Sequence, residues 1–305
     1  MKIAHVVSTE SETIVQDLKD HLHHVAVLCR EYMGQIDCPA MGYIVGILHD
    51  AGKAAHAFQD RMEAIRAGLP DPGQKGGHAS AGAVILDRFG GEPDNPYKSF
   101  AMQAMCEAIF SHHAALPDNI SPQGEDGYRV RLQCNETQLK EIEEYFWEEI
   151  ISQEELDKLL RRAYEEAESL AKKILGYAGK ESQEKGFFLG MAEKMLLSAL
   201  IDADWLDSAI SGERMAPDFA EVLKAEAGYR EEPGSRKRLF AYFLNNLEDR
   251  LGKMERSAKP INVWRNYISD SCKEAGSREG GIYTLACSTG AGKTLAVTRF
   301  ALTHC

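Results

Sequence analysis

The sequence predicts a mostly α-helical fold that gives way, near its end, to one strand, a glycine-rich loop and a last helix. Three observations point there. Apolar residues recur at helical spacing through most of the first 275 residues, Gly and Pro clusters punctuate them, and β-rich character is confined to residues 282–287. At 305 residues the chain is long enough for one large domain or two ordinary ones. Its 44% apolar and 27% charged content are those of a globular protein with a substantial core. No apolar run has the length to span a bilayer, and Met1-Lys2-Ile3 opens no secretory signal. Seven cysteines without Cys-x-x-Cys spacing read as scattered reduced thiols, which points to the cytoplasm and away from a membrane. A net charge of −12 argues against a broad basic surface, yet a local basic groove can still take nucleic acid.

The elements follow in order. Residues 13–32 carry Ile14, Leu18, Leu22, Val25 and Leu28 on one stripe, the pattern of an amphipathic helix. Residues 41–49 are short and almost wholly apolar, a buried helix stopped by Gly52. Further helices are expected near 54–67, 78–89 and 97–113, separated by the loops 69–73 and 90–94. Residues 137–178 are acidic but periodic (Leu156, Leu160, Ala163, Ala167), which predicts a helix with a solvated charged face. Residues 187–208 are mainly apolar and read as a central core helix. Beyond residue 210, Ser211-Gly212-Glu213 and Glu231–Ser235 bracket a short helix, and longer helices follow at about 236–256 and from Ile261.

Chemistry concentrates in the first of these regions. Eight of ten histidines lie between His21 and His113, with His49-Asp50 at the centre of Gly-Ile-Leu-His-Asp-Ala-Gly-Lys, residues 46–53. Imidazole and carboxylate together suit a divalent ion such as Mn, Fe, Co, Ni or Zn. His21 lies on or near the buried stripe of its helix and needs a partner there. His78 opens His-Ala-Ser-Ala-Gly-Ala, where it is either a ligand or a helix N-cap. His112-His113 ends an apolar helix, and Pro117 makes a break from regular geometry plausible there. His5, His23, His24, His56 and His304 have no spacing argument and read as ordinary surface or core residues. One carboxylate is still wanted, and Asp202-Ala203-Asp204 lies in a run where charge is costly unless paired or metal-bound. On a helix the two aspartates face about 200° apart, so at most one serves; Asp204 is preferred and Asp202 held in reserve.

Near the end, residues 282–287 form the expected strand and run into Ser288-Thr289-Gly290-Ala291-Gly292-Lys293-Thr294 and a helix. Strand, Gly-rich loop and helix is the phosphate-loop order, in which backbone N–H groups and a lysine hold nucleotide phosphates. Thr289, Gly290, Gly292, Lys293 and Thr294 are its candidate nucleotide contacts.

His21, His49-Asp50 with Lys53, His78, His112-His113 and Ala203-Asp204-Trp205, in that order, resemble the HD nuclease domain of CRISPR-associated type I nuclease-helicases. Asn262-x-x-Arg265 and the phosphate loop look like the start of the fused superfamily 2 helicase. The resemblance implies an HD helical bundle over residues 1–230, a helical linker over 231–260, and the beginning of a RecA-like domain over 261–305. It departs from the family pattern at Ser288, where a proline is usual, and no further helicase motif follows. This chain is therefore expected not to hydrolyse ATP, with ATP and Mg serving only a full-length helicase. Neighbouring strands are also missing, so residues from about 276 onward are expected to be poorly anchored, exchanged with another copy, or packed non-natively on the first domain.

Carried over by residue, the resemblance implies one ion on His21, His49, Asp50 and Asp204. A second falls on Asp50, His78, His112 and His113, with Asp50 bridging. The seven candidates are too many for one ion that keeps an open position. Mn, Co, Ni or Fe are the expected metals. Asp50 and Lys53 would carry the chemistry, Lys53 by offsetting transition-state charge. The expected activity is metal-dependent cutting of single-stranded DNA in type I CRISPR interference, with a target-bound surveillance complex as partner. Two rivals are a phosphohydrolase of small nucleotides, which a closed pocket would favour, and a non-catalytic docking module with a vestigial metal site.

Overall fold

The structure is a computed structural model that describes residues 1–8, 13–71, 73, 80–114, 116, 118–120, 123–133, 136–177, 182–211, 235–253, 259–281 and 283–304. The chain divides into two compact units, Met1–Ala216 and Pro217–Cys305. The first opens with an antiparallel hairpin of β1 (Ile3–Ser8) and β2 (Thr13–Asp17). Residues 13–17, expected as the start of a helix, are thus a strand. Thr13, Ile14 and Val15 are β-branched and suit a pleated surface. The helix begins only where the Asp17 side chain accepts a hydrogen bond from the Lys19 amide, as an N-cap does. The register shifts by one residue between Ile3 and His5, a bulge at Ala4.

The helices of this unit are α1 (Leu18–Gly34), α2 (Pro39–Leu48), α3 (His56–Arg66), α4 (Ala81–Gly90), α5 (Pro96–Ser111), α6 (Gly127–Arg131), α7 (Glu136–Tyr145), α8 (Gln153–Tyr177) and α9 (Ser182–Ser211). A 3₁₀ turn, Ala51–Ala54, follows α2, and a π-helical turn, Phe146–Ile150, extends α7. The centre is α2. It is apolar all round because it is enclosed all round, by α1, α5, α8 and α9. Its N-terminus starts at Pro39, whose missing N–H costs nothing at a first helical position. The Glu166 carboxylate of α8 accepts from the next two amides, Ala40 at 2.9 Å and Met41 at 3.1 Å, so another helix supplies the cap.

Close backbone approach positions α2. A Cβ on Gly42 would stand 2.3 Å from the Cys29 carbonyl oxygen, and one on Gly46 would stand 2.5 Å from the Ala26 Cα. At the other end a Cβ on Gly82 would meet the Leu48 carbonyl oxygen at 1.9 Å. These glycines, on α2 and α4, set the contact distance at both faces of the helix that ends in His49-Asp50.

The acidic stretch behaves as its periodicity implies: Leu156, Leu160, Ala163, Ala167 and Ala171 of α8 are buried. Helix α9 differs from expectation. It buries Leu196, Leu197, Leu200 and Ala203 along one stripe, while Phe187, Phe188, Met191, Met195 and Trp205 are exposed. Apolar composition alone does not enclose a helix; among the described residues of this unit, α9 packs against α1, α2, α5 and α8 through that stripe.

In the second unit lie α10 (Ser235–Lys253), α11 (Pro260–Gly276) and α12 (Lys293–His304). The short helix expected after residue 212 falls outside the described residues. Residues 283–287 form no strand. Strand geometry needs a ladder partner, and among the described residues this unit has none to offer. Helix α12 is nevertheless anchored. It packs on α11, where Gly276 lets the Phe300 carbonyl approach, and its Arg299 holds Glu248 of α10 at 2.7 and 2.8 Å and Asp270 of α11 at 2.7 Å. The expectation of a poorly anchored tail is therefore corrected for α12.

Gly82→Ala tests the α2–α4 contact. The added methyl must push two backbones apart, so urea unfolding should show a loss of about 1–3 kcal/mol. An unchanged midpoint would mean that the two helices are not in close contact.

Candidate metal centre

Each donor reaches the site from a helix or at a helix end. His21 lies one turn into α1, on its buried stripe. His49 continues α2, its N–H still bonded to the Val45 carbonyl, and Asp50 then breaks the helix with φ −113° and ψ 20°. The 3₁₀ turn that follows brings Lys53 back over Asp50, with Nζ 2.7 Å from Oδ2. His112 closes α5, and Asp204 faces inward from α9. His21, His49 and Asp50 are all 0% exposed, and Lys53 is 4% exposed, so this is a polar cluster inside a core.

Three histidines are held in the same way. The Nδ1 of His49 lies 2.8 Å from the Gly46 carbonyl oxygen, that of His112 lies 2.7 Å from Ile109 O, and that of His21 lies 2.7 Å from Asp207 Oδ2. The opposite nitrogens of all three, each Nε2, are buried without a hydrogen-bond partner. They converge on Asp50: His21 and His49 Nε2 lie 3.5 and 3.4 Å from Oδ2, and His112 Nε2 lies 3.4 Å from Oδ1. Asp204 Oδ1 stands 3.5 Å from His21 Nε2 and 3.6 Å from His49 Nε2. Donors sharing one ion at bonds of about 2.0–2.2 Å stand about 3.0–3.5 Å apart. The spacing fits a divalent ion, and anchoring through the far nitrogen is how metal-binding imidazoles are oriented.

Charge tells the same story. Burial disfavours a protonated His49, but the negative charge of Asp50, with that of Asp204 beside it, outweighs burial and raises the imidazole to about 10. Burial pushes the Asp204 and Asp207 carboxyls up, yet their histidine partners outweigh it and hold both well below the usual range; Asp50 is held low in the same way, chiefly by Lys53 and His49. A cluster of carboxylates without an ion takes up a proton instead.

Of the residues singled out from the sequence, His21, His49, Asp50, Lys53, His112 and Asp204 meet at this site. His113 stands exposed at its edge, its ring 3.9 Å from that of His112, and can share an ion with His112 and Asp50. His78 lies outside the described residues. Asp202 is exposed, on the far side of α9 from Asp204. Thr289 to Thr294, expected from the sequence as a phosphate loop, lie in the second unit, where Arg265 donates to the Gly290 carbonyl at 2.8 and 2.9 Å.

Two site residues went unread in the sequence. Asp207 is 4% exposed and accepts from Gln16 at 2.5 Å while holding His21 and, at 3.1 Å, His24. The pairing of His21/His24 with Asp204/Asp207, each three apart on its helix, is the signal that could have found it. His5, taken as ordinary, reaches the cluster from β1, and with His21, Asp50 and Asp204 forms a group able to hold an ion. Burial, reinforced by the Lys53 ammonium, pushes its imidazole down to about 3.

Among known families, the one described as "Cas3, HD domain" matches residues 8–211. A comparison with curated proteins finds no match.

Proton release checks the metal reading. The carboxylates raise the His49 imidazole to about 10, so a proton held there stabilises the fold fully below pH 6.5, with that contribution lost as the pH rises through about 10. Binding a divalent ion at its Nε2 near neutral pH should therefore release about one proton. Calorimetry in buffers of different ionisation enthalpy measures this, and a buffer-independent enthalpy would contradict it. Asp207→Asn should weaken Mn binding about 10–100-fold, because His21 loses its anchor. Asp202→Asn should leave the same titration unchanged.

Proposed function

The chain belongs to the Cas3 HD-domain family, and on that premise we propose that it cuts single-stranded DNA with two divalent transition-metal ions. Membership makes it a metal-dependent HD nuclease of CRISPR interference, with nucleic acid as substrate. The two-ion reading rests on one observation: the two oxygens of Asp50 face different imidazoles, Oδ2 toward His21 and His49 and Oδ1 toward His112. A bridging carboxylate has that arrangement.

One ion is assigned to His21, His49, Asp50 and Asp204, the other to Asp50, His112, His113 and His78. When bound, such a pair activates water at neutral pH and polarises the phosphodiester; Mn, Co, Ni or Fe suit these donors. Asp50 fixes the spacing of the site through its two oxygens. The Gly46 and Ile109 carbonyls and the Asp207 carboxylate hold the three imidazoles with Nε2 toward it. Lys53 adds a buried positive charge beside Asp50, placed to offset charge that grows on the phosphate as the nucleophile attacks. The convergence of the buried donors His21, His49, Asp50, His112 and Asp204 speaks against a vestigial docking module.

For the second unit we read Ser288–Thr294 as the phosphate loop of a fused helicase. It turns at Gly290 and Gly292, both at φ 82°, and leads straight into α12. A target-bound surveillance complex is the partner that would deliver a displaced strand.

Circular single-stranded DNA should be degraded by the purified protein with Mn, Co or Ni and left intact after chelation. Asp50→Ala should remove cutting almost entirely, since it would unseat both ions; normal cutting by that variant would sink the two-ion reading. Asp204→Asn should abolish activity and Asp202→Asn should keep most of it. The reverse ranking would require a different rotation of α9.

A further inference from the structure

The family match begins at residue 8, yet a side chain before that point reaches the metal centre. His5 Nε2 lies 3.0 Å from Lys53 Nζ, and the same ammonium lies 2.7 Å from Asp50 Oδ2. A lysine ammonium carries donors and no acceptor, so at this contact His5 Nε2 must be the accepting nitrogen. That settles which of two roles the imidazole has. Its Nε2 lone pair is engaged by Lys53, and in the neutral ring Nδ1 carries the hydrogen. Neither nitrogen is left for an ion while Lys53 stays in place.

We propose that His5 is a positioning residue, which fixes the Lys53 ammonium on Asp50 and is not itself a metal ligand. This rests on the reading of Lys53 given under Proposed function. Without His5 the ammonium would keep the Asp50 oxygen and, 5.9 Å away, the face of the Phe58 ring, with no acceptor on its other side to stop the four-carbon stem swinging about that oxygen. The hairpin is built to hold His5 steady. The bulge at Ala4 shifts the strand register immediately before it, and Gln59 pins Ile3 on both backbone groups, at 2.7 Å to N and 3.0 Å to O. Ser208 of α9 lies 3.3 Å from the same Nε2 and closes the other side.

Four variants of the full chain test this: His5→Gln, His5→Leu, Lys53→Ala and the double variant His5→Leu/Lys53→Ala. Bound Mn per chain is measured by elemental analysis, and cleavage of single-stranded DNA is followed at saturating Mn. His5→Leu keeps bulk but removes the acceptor, and should slow cleavage about 10–100-fold while Mn content stays that of the wild type. His5→Gln returns an acceptor oxygen and should recover most of the rate, a rescue that a merely structural histidine would not show. In the Lys53→Ala background, His5→Leu should cost nothing more. Loss of bound Mn in His5→Leu would overturn the proposal in favour of a ligand role. Full cleavage by His5→Leu, with Lys53→Ala impaired, would overturn it while leaving the reading of Lys53 intact. Normal cleavage by Lys53→Ala would remove that reading and this inference together.

Discussion

A carboxylate with no exposure to solvent, Asp50, sets the terms for the first unit of this protein. An isolated ionised carboxylate in a core costs so much that it would ordinarily take up a proton. Here it stays ionised because Lys53, His21, His49 and His112 surround it, each from a different turn or helix. None of these partners can be withdrawn without leaving a buried charge uncompensated, which is far more disruptive than losing a surface ion pair. The requirement runs outward. His21 needs Asp207, Asp207 is held by Gln16 and His24, and Lys53 reaches back to the N-terminal strand.

Such an arrangement tolerates little play, and the helices around it meet at backbone distance. Gly42 and Gly46 bring α2 onto α1, which carries His21; Gly82 brings α4 onto Leu48, next to His49. A donor displaced by half an ångström would no longer share an ion with its neighbours, since metal–ligand bonds are specified to about 0.2 Å. Packing without side chains at these crossings transmits position from one helix to the next with no soft rotamers between. The same glycines that look like weak points in a helix are what fix the spacing of the site.

Much of this was legible in the sequence, and the part that was not has physical causes. His49-Asp50 stood out because an apolar helix ended abruptly in two ligand types, and the 200° between Asp202 and Asp204 on one helix left room for at most one of them at the site. Local periodicity carries that information. His5 was invisible because its value depends on a strand pairing and a bulge, neither of which leaves a mark in five residues of sequence. Asp207 left a faint mark, its spacing of three from Asp204 matching that of His21 and His24, and the rotation of α9 gives that mark its meaning. The strand 13–17 was absorbed into a helix because Ile14 fell in phase with the apolar stripe that follows. The solvent-facing side of α9 and the unpaired residues 283–287 share one cause. Sequence composition reports what a segment could bury or pair with, whereas the neighbours decide whether it does.

The charge balance at the centre explains why this cluster asks for a cation. Asp50, Asp204 and Asp207 are three carboxylates, and the Lys53 ammonium meets them at Asp50. Those carboxylates raise the His49 imidazole, which burial alone would keep neutral, to about 10. A proton on Nε2 is a poor substitute, because it serves one nitrogen at a time and leaves those of His21 and His112 unsatisfied. A divalent ion accepts electron pairs from several donors at once and supplies twice the charge. The orphaned nitrogens and the protonated His49 are therefore two expressions of one deficit, and only a multivalent cation at Asp50 removes both.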